Sequence, residues 1–190
     1  MNLSHPLILA SNSPRRHQLL KDLGVDFTVF TKHIEEDYPT NLPADKVATY
    51  LSEKKNLAYH EELRDHLIIT SDTTVILDDR LLEKAADRSE AVEMLNQLSG
   101  RSHKVTTGVS IGINGSVNSF DETTVVHFRQ LEQSEIDYYI DTYQPYDKAG
   151  AYGIQEWIGQ VGITSIEGSY FNVMGLPVHK VYEALKQYQV

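Results

Sequence analysis

The chain has 190 residues, which is the length of one domain or of two small lobes. Hydrophobic residues make up 41% and charged residues 23%, a composition that supports a packed core and excludes a disordered chain. The net charge of −10 disfavours binding to nucleic-acid polymers and to anionic membrane surfaces, and the lack of cysteine excludes disulfides and thiolate metal sites.

Buried strands and amphipathic helices alternate along the first half of the chain. The predicted order is a strand at Leu7 to Ala10, a helix with Ser13 as N-cap and Pro14 as its first residue, a strand at Phe27 to Phe30, a helix at Ala44 to Glu62, and a strand at Leu67 to Ile69 that runs into Ser71, Asp72 and Thr73. The first ten residues do not resemble a signal peptide, and we expect a cytoplasmic protein without a membrane span.

The second half predicts a hairpin between helices. In chain order we expect a turn at Asp78 to Arg80, a helix capped by Ser89 and ending before Gly100, an alternating strand from Val105 to Ile113, a tight turn at Asn114-Gly115, a return strand near Thr123 to Leu131, a helix capped by Ser134, strands and loops over Ala151 to Tyr170, and a helix opened by Pro177. This pattern predicts a single α/β domain, residues 1–190, with a mixed sheet.

Two arginines, Arg15 and Arg16, fall in the first turn of the first predicted helix, where the helix dipole disfavours cations. A bound phosphate would offset that cost, because the Ser11 hydroxyl, free backbone N–H groups and both guanidinium groups would converge on one anion. A solvated helix start with surface arginines is the other interpretation, and this segment alone leaves both open.

Asp72 follows a buried strand, where α/β sheets commonly present catalytic carboxylates. It can accept a proton from water or hold a divalent cation, and Glu35 is a candidate second ligand of the same metal. Lys84 and the adjacent pair Lys54 and Lys55 are candidates for local positive charge around a polyphosphate, and Glu35 opens an acidic run that continues to Asp37. Each of these side chains taken alone is also compatible with a turn or a solvated surface.

The segment Gly108-Val109-Ser110-Ile111-Gly112 has the G-x-S-x-G spacing of a serine hydrolase. A nucleophile elbow needs a strand, a sharp turn and then a helix, whereas this segment continues as a strand to the Asn-Gly turn. We therefore reject Ser110 as a nucleophile at this stage, and loss of esterase activity in Ser110→Ala would revive it.

Five ordered blocks resemble the Maf family of nucleoside triphosphate pyrophosphatases over essentially the whole chain. They are LILASNSPRRHQLL, SDTTVIL with LLEK, LSGRSHKVTTGVSI, DKAGAYGIQ and GSYFNVMGLP. The resemblance implies an elongated Maf/ITPase-like fold with two lobes flanking a central cleft, frequently a homodimer. It also implies hydrolysis between the α- and β-phosphates of a nucleotide with Mg²⁺ or Mn²⁺ present, and the DKAGAYGIQ block is similar to the branch that acts on dTTP and UTP.

The resemblance also implies roles for individual residues. Asp72 would activate water and, with Glu35, bind the metal, while Lys84 would assist the reaction. Ser11, Arg16 and Lys54 would contact phosphate or metal, and the three residues implied in base choice are Arg15, Thr73 and Gln155. Modified pyrimidine nucleotides are further candidate substrates.

Two positions depart from the family pattern: Ala85 replaces a common proline, and Glu156 replaces a common glycine after GIQ. Glu156 adds a carboxylate beside the glutamine implied in base choice, so it bears on the nucleobase more than on the reaction. The family is also associated with inhibition of septum formation, and a nucleotide sensor of cell division without turnover is the alternative function.

Overall fold

The computed structural model describes residues 1–190 and confirms the predicted α/β class, with seven strands in one mixed sheet. The strands are β1 (Leu7–Leu9), β2 (Thr28–Val29), β3 (Leu67–Leu77), β4 (Arg80–Leu82), β5 (Ser102–Ile113), β6 (Ser116–Phe128) and β7 (Ile163–Glu167). The helices are α1 (Pro14–Asp22), α2 (Ala44–Leu57), α3 (Arg88–Leu98), α4 (Gln133–Tyr143), α5 (Trp157–Gly162), α6 (Tyr170–Met174) and α7 (Val178–Leu185).

The long strand β3 organises the sheet, whose order is β2-β1-β3-β5-β6-β7. One edge of β3 pairs antiparallel with β5 from Ile68 to Ile76. The other edge pairs with β1 over residues 67–69 and with β4 over residues 75–77. Residues 70–74 therefore lack a strand partner on that edge, and this gap opens the sheet between two lobes.

Each lobe has its own hydrophobic core, as the predicted two-lobe arrangement requires. A cluster of 13 buried residues joins α1, α7, β1 and the first part of β3. A second cluster of 18 buried residues joins α3, α4 and the far ends of β3, β5 and β6. The two cores lie on either side of the gap along β3. The sheet therefore runs through both lobes, whereas the hydrophobic core is divided in two. No helix has both the length and the apolar character of a membrane span.

Local chemistry places most element boundaries. Ser13 caps α1 as predicted, because its hydroxyl accepts from Arg16 N. Two predicted caps are wrong: Asp87 rather than Ser89 caps α3, and α4 begins after Glu132, which forms a capping box with Glu135. The long predicted helix also ends earlier, at Leu57 rather than at Glu62.

The segment 151–170, predicted as strands and loops, contains β7 but also the helix α5. The glycines that suggested loops are packing positions instead. A Cβ on Gly159 would lie 1.9 Å from Ile154 O, and one on Gly162 would lie 3.0 Å from the Leu131 side chain. Glycine therefore lets this short helix sit against the core.

Candidate active site

A cavity of about 620 Å³ occupies the gap along β3 between the two cores. It is bounded by the loop that enters α1, by β3, by segments 31–36 and 147–155, and by the end of α6. Seven predicted site residues line it: Ser11, Arg15, Arg16, Asp72, Thr73, Lys84 and Gln155. Six cationic and three anionic side chains line the cavity, so it is locally positive in an acidic molecule.

Glu35 and Lys54 do not line this cavity, and each is replaced by its neighbour in sequence, Glu36 and Lys55. Lys54 Nζ instead pairs with the exposed Asp37. Side chains one residue apart point in different directions in a helix and in extended chain, and in both doublets it is the second member that faces the cavity. The doublets were visible in the sequence, but the facing member was not.

Lys55 links two carboxylates at the centre of the site. Its Nζ lies 2.6 Å from Asp72 Oδ1 and 2.6 Å from Glu36 Oε1. The side chains of Lys55 and Asp72 are each only 15% exposed. Burial alone would raise the pKa of Glu36, but the hydrogen bond and charge of Lys55, helped by Lys84, lower it below its usual value. Glu36 is therefore ionised at neutral pH.

Arg16 closes the unpaired edge of β3 with its own donors. Its guanidinium donates to Ser71 O at 2.8 Å, to Gly175 O at 2.8 Å and to Thr73 Oγ1 at 3.0 Å. Burial lowers the pKa of Arg16, opposed by the negative charge of Asp72, and the group keeps its charge because a guanidinium is not deprotonated in proteins. Most of the Arg16 donors, which were predicted to hold phosphate, are therefore committed to protein oxygens.

The Thr73 hydroxyl belongs to the same chain of hydrogen bonds. It accepts from Arg16 and lies 2.9 Å from Thr107 Oγ1, which in turn donates to Asn172 O at 2.9 Å. Since the Thr107 proton is used on Asn172, Thr73 must donate to Thr107. Thr73 therefore has no free proton for a ligand in this arrangement.

Arg15 and Lys84 remain accessible to an anion. Arg15 makes one long contact, 3.3 Å from Nη1 to Asp147 Oδ2, and its side chain is 26% exposed. Lys84 lines the cavity, and its ammonium takes part in none of the ion pairs or side-chain hydrogen bonds of the structure. Both cations can reorganise around a polyphosphate at little cost in protein contacts.

The opposite wall contains Gln155 beside a buried ionic cluster. Lys148 Nζ lies 2.7 Å from Asp147 Oδ1 and 3.1 Å from Glu156 Oε1. Tyr139 donates its hydroxyl proton to Glu156, and burial followed by that carboxylate raises the pKa of Tyr139 far above its usual value. Lys148 and Glu156 were not predicted as site residues, although the DKAGAYGIQ block contains the first of them.

Ser110 cannot act as a hydrolase nucleophile in this structure. Its side chain is fully buried within β5, and its hydroxyl contacts only Ser52 Oγ at 2.9 Å and Ser119 Oγ at 2.8 Å. No histidine or carboxylate contacts it as a base. The rejection of the G-x-S-x-G pattern agrees with this geometry.

The sequence profile of the family described as "Maf-like protein" matches residues 6–188. The chain belongs to this family. Curated relatives described as "dTTP/UTP pyrophosphatase" include proteins of Phocaeicola vulgatus and Bacteroides thetaiotaomicron, 49% and 48% identical over 185 residues, with 96% of each chain covered. A relative of the same description from Porphyromonas gingivalis is 47% identical over 188 residues, covering 97% of this chain and 94% of its own.

Among solved structures, the Maf chain is similar to a HAM1 protein from Coxiella burnetii, with a TM-score of 0.49 at 13% identity, covering 96% of this chain and 99% of the other. It also matches the Staphylococcus aureus Ham1 protein, with a TM-score of 0.45 at 18% identity, over 65% of this chain and 71% of the other.

In the Maf cleft, Asp72 and Glu36 are the two carboxylates that could hold a divalent cation, because Lys55 Nζ contacts both of them. No group of three or more His, Cys, Asp or Glu side chains converges anywhere in the structure. Two carboxylates nevertheless suffice for Mg²⁺, which keeps several waters and takes further oxygens from substrate phosphates. The Lys55 ammonium already bridges the two carboxylates, so this position accepts positive charge. Glu35, the predicted ligand, lies outside the cavity.

Proposed function

We propose that this Maf-family chain hydrolyses dTTP and UTP to the nucleoside monophosphate and pyrophosphate. Its relatives at 47% to 49% identity over nearly the whole chain are described by that activity. The observation that carries the proposal is the convergence of Asp72, Glu36 and Lys55 with the uncommitted cations Arg15 and Lys84 in one cleft. Modified pyrimidine nucleotides are candidate substrates of the same site.

In this proposal, Asp72 accepts a proton from an attacking water. One oxygen of its carboxylate is held by Lys55, which fixes the side chain, and the other is free of protein contacts. Proton transfer to a positioned carboxylate typically contributes about 10²- to 10⁴-fold to a rate. Water would attack the α-phosphorus, and pyrophosphate would leave with the charge that develops on it.

Lys84 and Arg15 would stabilise that developing charge, because neither side chain has to abandon a strong protein partner. A divalent cation, Mg²⁺ or Mn²⁺, held by Asp72 and Glu36 would add Lewis-acid polarisation of the phosphate oxygens. Arg16, bonded to the β3 edge, would act by keeping Ser71 and Thr73 in place.

A nucleotide panel tests the reaction. With Mg²⁺ or Mn²⁺ present, we expect pyrophosphate and monophosphate from dTTP and UTP, and at least about a 100-fold lower kcat in Asp72→Asn. Asp78→Asn is the matched control, because Asp78 pairs with Arg101 on the surface away from the cleft. Full activity in Asp72→Asn would contradict the assigned role of Asp72.

The same panel separates this function from a nucleotide sensor of cell division. A sensor predicts nucleotide binding, measurable by calorimetry, with no product formed. A water-activating carboxylate that is held by the Lys55 ammonium favours the enzyme. We further propose a cytoplasmic homodimer, and light scattering on the purified chain would measure its mass against 21.5 kDa for one chain.

A further inference from the structure

Gln155 carries an unsatisfied acceptor in the wall of the cleft. Its Oε1 is buried and has no hydrogen-bond partner, whereas its Nε2 lies 3.4 Å from Glu156 Oε1. A buried amide carbonyl without a partner is unfavourable, and a ligand that brings a donor to it would relieve that cost. The orientation of this amide thus decides what kind of ligand atom the wall accepts.

Glu156 fixes that orientation. An ionised carboxylate only accepts hydrogen bonds, so the amide must turn its NH₂ group toward Glu156 and leave the carbonyl oxygen for a ligand. The carboxylate is held in turn on its other sides: Lys148 Nζ lies 3.1 Å away, and Tyr139 donates to its second oxygen. Gly153 N donates to the Tyr139 hydroxyl at 3.0 Å, which commits the Tyr139 proton to Glu156.

The backbone at Gly153 leaves little room for the Gln155 and Glu156 side chains to take other positions. A Cβ on Gly153 would lie 2.8 Å from Gln155 Nε2 and 2.9 Å from Glu156 Cδ, so both side chains fold over this glycine. The side chain of Glu156 is only 17% exposed, which makes loss of its ionic partners costly. The amide and the carboxylate are therefore packed as one unit.

Resting on the proposed function, we propose that Glu156 is a positioning residue for base choice: it holds the Gln155 amide so that the cleft presents a carbonyl acceptor to the nucleobase. Uracil and thymine carry an N3–H donor that satisfies this acceptor. Cytosine has a lone pair at N3, which would face the lone pairs of Gln155 Oε1. The device therefore selects uridine and thymidine nucleotides against cytidine nucleotides.

The test compares kcat and KM for UTP and CTP in Glu156→Gln. The introduced amide can either donate or accept, so the Gln155 amide is free to turn over. We expect the UTP to CTP ratio of kcat/KM to fall at least about tenfold, through KM, with kcat for UTP within about threefold of the wild type. Glu167→Gln, at an exposed residue of β7, is the matched control and should keep the wild-type ratio.

Gln155→Met provides a second route if Glu156→Gln folds poorly, because it removes the amide while keeping Glu156 and the side-chain length. It should lose the preference for UTP to a similar extent. An unchanged ratio in either folded variant, or a wild type that uses CTP as well as UTP, would overturn the inference while leaving the pyrophosphatase activity in place.

Calorimetry with UMP and CMP measures the same preference without turnover, so a wild type with no activity would refute the proposed function but not this inference. Tighter binding of UMP than CMP in the wild type, and not in Glu156→Gln, supports it. Equal binding of both nucleotides to the wild type overturns it.

Discussion

At the scale of single residues, the cations of the cleft divide into two groups by their contacts. Arg16 donates hydrogen bonds to three residues of the protein, whereas Lys84 has an ammonium without protein partners. From residue type alone, Arg16 and Lys84 were both predicted to bind the phosphates of the nucleotide. The structure separates a cation that holds the site together from one that is available to the substrate.

Substitution of each cation by methionine should give opposite results. Arg16→Met leaves Ser71 O without its side-chain donor and removes one of the two side-chain donors to Gly175 O, so we expect the free energy of unfolding to fall by about 2 to 3 kcal/mol. Lys84→Met should unfold within about 0.5 kcal/mol of the wild type but lose at least about tenfold in kcat/KM, or ~1.4 kcal/mol of transition-state stabilisation. Urea unfolding and steady-state kinetics on both variants measure the contrast.

His103 gives the molecule a pH-dependent stability. Its ring is 3% exposed, its Nε2 contacts Tyr152 Oη at 2.6 Å, and burial lowers its pKa to about 4 from 6.5. Below pH 6.5 the unfolded state binds a proton that the native state refuses, so stability falls as the pH drops from 6.5 to 4. Above pH 6.5 the ring is neutral in both states and contributes no pH dependence.

We expect this loss to reach roughly 3 kcal/mol in the wild type. His103→Gln keeps a polar partner for Tyr152 but cannot titrate, so the stability difference between the two proteins should shrink by about that amount between pH 7.5 and pH 4.5. Urea unfolding at both pH values measures it. Parallel pH profiles for the two proteins would show that His103 does not carry the effect.

At the scale of elements, the two glycines of the G-x-S-x-G segment explain how α2 reaches the site. A Cβ on Gly108 would lie 2.4 Å from the backbone of Ala48 and Thr49, and one on Gly112 would lie 2.2 Å from Asn56 Oδ1. These residues share one face of β5, where the only side chain between them is the small Ser110, so α2 lies close to the sheet. This close approach places Lys55, near the end of α2, beside Asp72.

Gly108→Ala should push α2 away from the sheet. We expect at least about 2 kcal/mol of lost stability, and lower kcat/KM because Lys55 moves with its helix. Gly24→Ala is the control: a Cβ there meets no atom within 4 Å, and the cost should be limited to about 1 kcal/mol from its left-handed backbone. Thermal unfolding and UTP hydrolysis of both variants measure the two effects, and equal losses would contradict the packing explanation.

The sequence predicts the helices, strands and turns whose boundaries are set by neighbouring residues, and it fails where distant packing contacts set them. The Ser13-Pro14 start of α1 and the Asn114-Gly115 turn are set by neighbouring residues, and both were predicted correctly. The helix α5 was missed because its glycines serve packing contacts, one with the nearby backbone of Ile154 and one with Leu131, which is distant in the sequence. Propensity could not distinguish such glycines from those of a loop.

The site follows the same rule. Asp72 lines the cleft as predicted, but the predicted strand end was wrong, because β3 continues to Leu77 and Asp72 lies in the stretch 70–74 that has no strand partner on one edge. The doublets Glu35-Glu36 and Lys54-Lys55 were found but assigned to the wrong member. Which member faces the cleft depends on the rotation of α2 and on the path of segment 31–36, and both are set by tertiary packing.

At the scale of the whole molecule, two cores share one sheet, with the cleft between them. Strands β3 and β5 contribute residues to both cores, so the lobes should unfold together. A UTP analogue with nitrogen in the α–β bridge, at 100 times its Kd, should add about 2.7 kcal/mol of stability in a single calorimetric transition. Two separate transitions would contradict the coupling of the lobes.

The cleft has a positive lining, whereas the whole protein has a net charge of −10. This charge distribution favours entry of small anions into the cleft over binding of long polyanions to the protein surface. A long polyanion meets the acidic exterior before any of its phosphates can reach the recess, whereas a free nucleotide is small enough to enter and experience the local field alone. Selection of monomers over polymers would thus precede any contact with a base, and added salt would weaken it.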